Sequence, residues 1–382
     1  ICVRYECVPM RFIKHVYKIH TYTQDGRLFE GKTPVSAFLN SSYDGSFIAG
    51  LMELRYIQSL PVERIINYFE SHGFTLKKPT AHKLMEKASS LFENLYKCIR
   101  QTALSDPYKA ADETYYKILV PEKNSKGKGV RKGYLWVVVG INTRMIYLLY
   151  DDGSRSEKVI LNELGGCKGI IQSDGYSPYR KLESDAYPHI TRIPCLQHIK
   201  RKFIDCGEDD PDAKRIVEMI NTLYQNEHKH KIGVDGWTVE QNLVHRKKYA
   251  PDILGEIKDV LDDIEERGDL LPKSELKEAI TYLRNEWNAV VDIFNYGDTY
   301  LDNNIVERMN RYISLSRKNS LFFGSHKGAE RGAILYTIAL TCRMNKVNLF
   351  EYLTDVINRT AEWQPNTPLE KYRQLLPDRW ND

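Results

Sequence analysis

Apolar residues recur every third position at Ile48, Leu51, Leu54 and Ile57, a spacing that predicts a helix over residues 47–59. A second helix follows Pro61, which suits a first helical position, and runs through Ile65, Ile66 and Phe69 to Gly73. Lys77-Lys78-Pro79-Thr80 opens a third, through Leu84, Met85, Ala88 and Leu91. Two helices, a tight turn and a basic-flanked helix fit a helix-turn-helix, and fit a plain three-helix bundle equally well. Past residue 110 the pattern changes to strands, predicted at 114–120, 133–141 and 145–150. Ser154-x-x-Glu157 has the form of a capping box, so a helix is expected from there to residue 164. A fourth strand at 169–172, a short helix at 177–182, a fifth strand at 189–194 and a helix at 197–204 follow. Three meandering strands and two crossover units predict a mixed α/β sheet with helices on its faces.

Strand character is then lost. Helical spacing covers 212–224, 253–266 and 274–296, and returns at 304–313, 332–344 and 349–358. The stretch 205–300 therefore reads as a helical insertion within an α/β unit. Ahead of everything, residues 4–22 alternate loosely, as strands do.

Composition sharpens this picture in one respect. The 382 residues are 42% hydrophobic and 28% charged, a globular balance rather than a disordered one. No apolar run approaches the ~20 residues that span a bilayer, so no membrane partner is expected. The net charge of +4 hides a split. Residues 205–300 carry 22 acidic and 12 basic side chains, a net of −10, which leaves +14 on the remainder. The body, with five basic residues at 123–132, suits a polyanion better than the insert does. Seven cysteines with no C-x-x-C pair argue against a disulfide framework and for a reducing cytoplasm. Ile1 rather than Met opens the chain, so residues are expected to precede it.

Three acids are candidates for chemistry. Asp112 stands before the first predicted strand, Asp174 closes the fourth, and Glu307 opens a later helix. If the first and fourth strands are neighbours, Asp112 and Asp174 share one sheet edge. Clustered carboxylates suit hard cations, Mg²⁺ or Mn²⁺, and two such ions about 4 Å apart can clamp an in-line displacement at phosphorus. Each acid also has an ordinary reading. Asp112 and the Asp174-Gly175 pair suit turns, and Glu307 would complete an Asn304-x-x-Glu307 cap. Cys195-x-x-His198 is half a zinc site, or a buried thiol beside a histidine at a helix start. Lys200, Arg201 and Lys202, and further on Arg308, Arg311, Arg317 and Lys318, fit a phosphate-binding surface or a solvated helix face. Glu307 and Arg311 are also spaced to form an i,i+4 pair.

Several segments carry a resemblance. They are Ala111-Asp112-Glu113-Thr114, Gln172-Ser173-Asp174-Gly175-Tyr176, Cys195-Leu196-Gln197-His198, Asp302-Asn303-Asn304-Ile305-Val306-Glu307-Arg308 and Arg317-Lys318-Asn319-Ser320-Leu321-Phe322-Phe323-Gly324. In order and spacing, over about residues 45–382, the chain resembles the transposases of the insertion-sequence-sixty-six group. That resemblance implies a ribonuclease-H-like fold and an Asp-Asp-Glu triad of Asp112, Asp174 and Glu307 holding two Mg²⁺ or Mn²⁺ ions. It gives Cys195 and His198 an organising role at the active site. The implied activity is metal-dependent cutting of mobile-element ends and strand transfer into target DNA. The alternatives are a catalytically silent DNA-binding descendant and a nuclease of the same fold without strand transfer. Implied partners are terminal-repeat and target DNA, further copies of the chain on paired ends, and accessory proteins of the element, in the bacterial cytoplasm at the nucleoid. Such proteins also carry an N-terminal zinc-binding segment. Here Cys2 and Cys7 lack paired spacing, which puts zinc in question.

The organisation expected is an N-terminal segment (1–45) and a helical DNA-binding domain (46–105), then a catalytic domain in two parts (106–204 and 301–350). The insertion (205–300) separates those parts, and a helical tail (351–382) ends the chain.

Overall fold

A hairpin, β1 (Thr21–Gln24) and β2 (Arg27–Glu30), precedes four helices: α1 (Gly45–Tyr56), α2 (Val62–Ser71), α3 (Lys78–Leu91) and α4 (Glu93–Ser105). The strands β3 (Tyr108–Leu119), β4 (Val130–Gly140) and β5 (Met145–Leu149) follow. Then come α5 (Glu157–Leu164), β6 (Gly169–Ser173), the short α6 (Ser177–Arg180), β7 (Ile190–Pro194) and α7 (Leu196–Ile204). The insertion supplies α8 (Pro211–Glu227), α9 (Val239–Arg267) and α10 (Glu275–Ile293). The chain ends with α11 (Asn304–Asn319), α12 (His326–Met344), α13 (Leu349–Thr360) and α14 (Leu369–Arg373). This computed structural model describes all residues except 1, 2, 8, 33, 39, 40, 124–126, 128, 208, 365, 381 and 382. Cys2 and part of the basic 123–132 loop thus lie outside the described residues.

The sheet order is β5-β4-β3-β6-β7. β3, β4 and β5 form an antiparallel meander, while β6 and β7 run parallel to β3. The first and fourth predicted strands are therefore direct neighbours. β3 is the central strand, and it starts at Tyr108 rather than at 114. Asp112 consequently lies inside the strand, not ahead of it. Lys109 hid this start: a lysine beside two alanines breaks the apolar pattern, yet its Nζ is buried and donates to the carbonyls of Asp106 and Lys168.

Two cores flank the sheet. Ile171 belongs to the first and Ile170 to the second, because successive strand side chains point to opposite faces. The first core joins the sheet to α1–α4, α12 and α13. α1 buries Ile48, Ala49, Leu51 and Met52, and Tyr56 meets Tyr336 of α12 edge-on at 4.8 Å. The second core is built by α7–α10 with Tyr108, Ile170 and Ile193.

Several boundaries differ from the sequence reading, each for a local reason. α4 continues the helical run to Ser105 beyond the three helices expected. α5 starts at Glu157 with Ser156 as its N-cap, not in a Ser154 capping box; the Ser154 hydroxyl accepts the Ser156 N–H, and its carbonyl accepts Trp136 Nε1. α9 runs for 29 residues through Pro251, opened by a Thr238–Gln241 capping box and stopped by Gly268 at φ 67°. Proline removes one i→i−4 bond, but buried Ala250 and Leu254 on either side hold the helix axis. Residues 4–20 contain no strand among those described. The hairpin at 21–30 turns on Asp25-Gly26, both at positive φ, and all eight of its strand residues are exposed.

Candidate active site

The parallel register sets the geometry. Ala110 of β3 pairs with Gln172 of β6, and Ser173 pairs with Pro194 of β7. Continued by two residues and by one, these ladders put Asp112, Asp174 and Cys195 at one level, by the carboxyl ends of β6 and β7. Crevices at such ends are where open α/β sheets place their chemistry.

Asp112 is half-buried and held at both oxygens. Oδ1 accepts the Glu113 N–H at 2.8 Å, and Oδ2 accepts Nδ2 of Asn310 at 2.6 Å. Burial, then the negative charges of Glu113 and Asp174, push its pKa up to about 7, against the pull of those two hydrogen bonds. Asp174 begins the turn after β6, where Oδ1 accepts the Tyr176 N–H at 3.1 Å. Its backbone carbonyl accepts from Arg192 at 2.7 Å. Glu113, whose neighbour Asp112 carries the motif, is a further acid at this end. Its side chain is buried, receives Arg155 Nε at 2.9 Å, and is raised above the ordinary value chiefly by burial.

Glu307 rides on α11, whose placement follows a seven-residue polar rhythm. Asn303 donates from Nδ2 to the Ala111 carbonyl at 3.0 Å, Asn310 reaches Asp112, and Arg317 donates to the Tyr115 carbonyl while stacking 3.8 Å from the Tyr115 ring. Two helical turns from one anchor to the next keep these residues on one face, so α11 is fastened along β3. Asn303 is the N-cap, and its side chain is used on β3 instead of capping the helix. The expected Asn304-x-x-Glu307 cap is therefore absent: Asn304 is already helical and its N–H goes to Asp302 Oδ1. Glu307 has no pair with Arg311 either. Among the described residues the basic group nearest it is His198, with Nε2 3.6 Å from Oε1.

Cys195, His198 and Glu307 offer ligand atoms within 4.8 Å of one another, the one such trio of histidine, cysteine or acid among the described residues. Asp112, Asp174 and Glu307 do not close to that distance here. Cys195 accepts the Asn303 N–H at 3.3 Å, and burial is the main cause that pushes its thiol pKa up to about 11. Buried oxygens with no hydrogen-bond partner among the described residues collect at this end: Oε1 of Glu307 and Oδ1 of Asn303 and Asn310. Carboxylate and amide oxygens are the ligand types that hard cations take.

The basic candidates separate by role. Arg201 and Lys202 on α7, and Arg308, Arg311 and Lys318 on α11, are exposed; Lys200 is half-buried over Tyr224. Arg317 is engaged by β3. Residues that the spacing arguments did not single out hold the frame. Gln172 accepts the Tyr108 hydroxyl at 2.6 Å and donates to the Tyr300 carbonyl at 2.8 Å, which fixes where the chain re-enters from the insertion. A charged residue inside the apolar run Ile190-Thr191-Arg192-Ile193 was the available signal for Arg192.

The family model described as "Transposase IS66 family" matches residues 40–331. Three uncharacterised proteins of Sinorhizobium fredii (strain NBRC 101917 / NGR234) are similar to the chain. y4jD is 26% identical over 87% of this chain and 65% of its own length. For y4hP the values are 24%, 98% and 69%, and for y4qI 26%, 99% and 70%. The chain thus spans about two thirds of the length of these relatives. No described helix is long and apolar enough to cross a membrane.

Proposed function

The chain belongs to the IS66 transposase family, and on that premise we propose that it cuts DNA at the ends of a mobile element and joins the freed ends to target DNA. The observation that carries this reading is that α11, which bears Glu307, is bonded through Asn310 to Asp112, whose strand pairs with the one that ends just before Asp174. We read the sheet, three antiparallel strands followed by two parallel ones around β3, as ribonuclease-H-like.

Asp112, Asp174 and Glu307 would hold divalent cations, Mg²⁺ or Mn²⁺, whose chemistry is to neutralise phosphate charge and to make an attacking water or 3′-hydroxyl nucleophilic. The open oxygens near Glu307 and the anionic crowding around Asp112 support that fit. Within the chain, Asn310 orients Asp112 through Oδ2, and the Asp174 turn is pinned by its bond to the Tyr176 N–H. His198 stands against Glu307 and limits its swing. Exposed Arg201, Lys202, Arg308, Arg311 and Lys318 supply cations on the two helices that start at this end, where a phosphate backbone would lie. The start of helix α3 adds exposed lysines at 77, 78 and 83 as a second DNA-facing region.

The test is incubation of the full chain with labelled terminal-repeat DNA and Mg²⁺. Joined products support the proposal. Hydrolysis alone would make the protein a nuclease, and binding without cleavage a silent descendant. Asp112→Asn and Glu307→Gln should abolish both cleavage and joining.

A further inference from the structure

Helix α10 lies in the acidic insertion, yet it reaches the Asp174 turn directly through Tyr282 and indirectly through Arg192. The Tyr282 hydroxyl accepts the Gly175 N–H at 2.9 Å. Glu286, with no exposed side-chain surface, accepts from Arg192 Nη2 at 2.6 Å. The same Nη2 donates to the Asp174 carbonyl at 2.7 Å, Nε donates to Ser173 Oγ at 3.0 Å, and Nη1 goes to Glu183. A planar guanidinium distributes its donors in a fixed fork, so four acceptors from three parts of the chain are held in one geometry. A Cβ on Gly175 would sit 2.6 Å from Tyr282 Cζ, which shows how closely α10 covers the turn.

A fully buried ion pair is poor evidence for stability, because desolvation offsets its attraction and an apolar pair of similar volume often serves as well. This one joins the insertion to the backbone of a proposed metal ligand. We infer that α10 sets the position of Asp174, with Tyr282, Glu286 and Arg192 as positioning residues for the reaction, an inference that rests on the carboxylate reading above. The insertion is then a working part of the active site, and a ligand that displaces α10 displaces Asp174 with it. Outer-sphere contacts of this kind change metal affinity by ~10–100-fold when removed.

The experiment is Mn²⁺ binding to the full chain, followed by paramagnetic resonance, together with the Mg²⁺ dependence of cleavage. Tyr282→Phe and Glu286→Gln are each expected to weaken Mn²⁺ binding ~10-fold. They should raise the half-saturating Mg²⁺ concentration by a like factor, with kcat at saturating metal nearly retained. A double variant, Arg192→Met with Glu286→Leu, keeps the volume apolar and folded, and is expected to show the same loss of metal affinity. Unchanged affinity in the folded variants would overturn the inference. Asp174→Asn separates the two claims. If it lowers Mn²⁺ affinity while the α10 variants do not, only the inference fails; if it leaves affinity untouched, the carboxylate reading fails as well.

Discussion

Asn310 Nδ2 lies 2.6 Å from Asp112 Oδ2, a single bond that ties the helix bearing Glu307 to the strand bearing Asp112. Removing it leaves a half-buried carboxylate with one donor fewer. Asn310→Ala should cost about 1–3 kcal/mol of stability by urea unfolding, and cleavage should fall by more than the lost folded fraction explains. Equal losses in both would assign Asn310 to stability alone.

Asp112 is crowded by Glu113 and Asp174, so its charge opposes folding when no cation is present. Asp112→Asn is expected to melt at or above the parent temperature in chelator while losing all Mg²⁺-dependent cleavage. A lower melting temperature in chelator would show that the carboxylate is a structural anchor.

Arg317 and its exposed neighbours should part company. Arg308→Ala, Arg311→Ala and Lys318→Ala are expected to leave stability unchanged and to weaken DNA binding. Each phosphate that is deprived of its cation should reduce the slope of log affinity against log salt by about 1. Arg317→Ala removes a bond to the Tyr115 carbonyl and a stack on its ring, so it should lower the urea midpoint. Salt titrations of binding beside unfolding curves check both halves.

The insertion has its own buried charge pair. Arg246, fully buried, donates to Glu227, to Thr299 Oγ1 at 2.7 Å and to the Thr299 carbonyl at 2.6 Å. Burial alone would raise the Glu227 pKa, but bonds from Arg246, Tyr249 and Asn242 bring it below the ordinary value. A depressed carboxylate contributes stability that is complete above its unfolded pKa and is lost as pH falls through the folded one. Unfolding midpoints should therefore drop below about pH 4.5. Glu227→Gln should flatten that drop, and Arg246→Met should cost about 3–5 kcal/mol at neutral pH by stranding the acid.

Helices with one covered face were plainly legible in the sequence: α3 and α13 carry clear periodicity, and their limits fall within a residue or two of expectation. β5, buried on both faces, was legible from its unbroken apolar run instead. Legibility failed where the buried positions were polar. The start of β3 was masked by a buried lysine, and the front of α9 by Pro251 and the run Arg246-Lys247-Lys248, whose first member is an internal anchor. At the site, the three acids could be named from motifs, but what surrounds them could not. Asn303, Asn310 and Arg317 share a spacing of seven that no apolar template scores. Arg192 and Glu286 stand 94 residues apart, and only the fold makes them neighbours.

The second core carries a consequence for what can vary. Ile193, Leu196, Ile199 and Phe203 are covered by α8–α10, so trimming the insertion at its base would strip cover from the end strand and the helix behind it. The exposed turn 231–236 between α8 and α9 adds no residue to that core, although Val239 just beyond it packs on Gly297 where the chain re-enters. Length and sequence in that turn are free to drift, whereas the helices around it must change in step with the sheet. Exchanging insertions between relatives should succeed when the cut is made beyond the shared core, and should fail when it is made at residue 205.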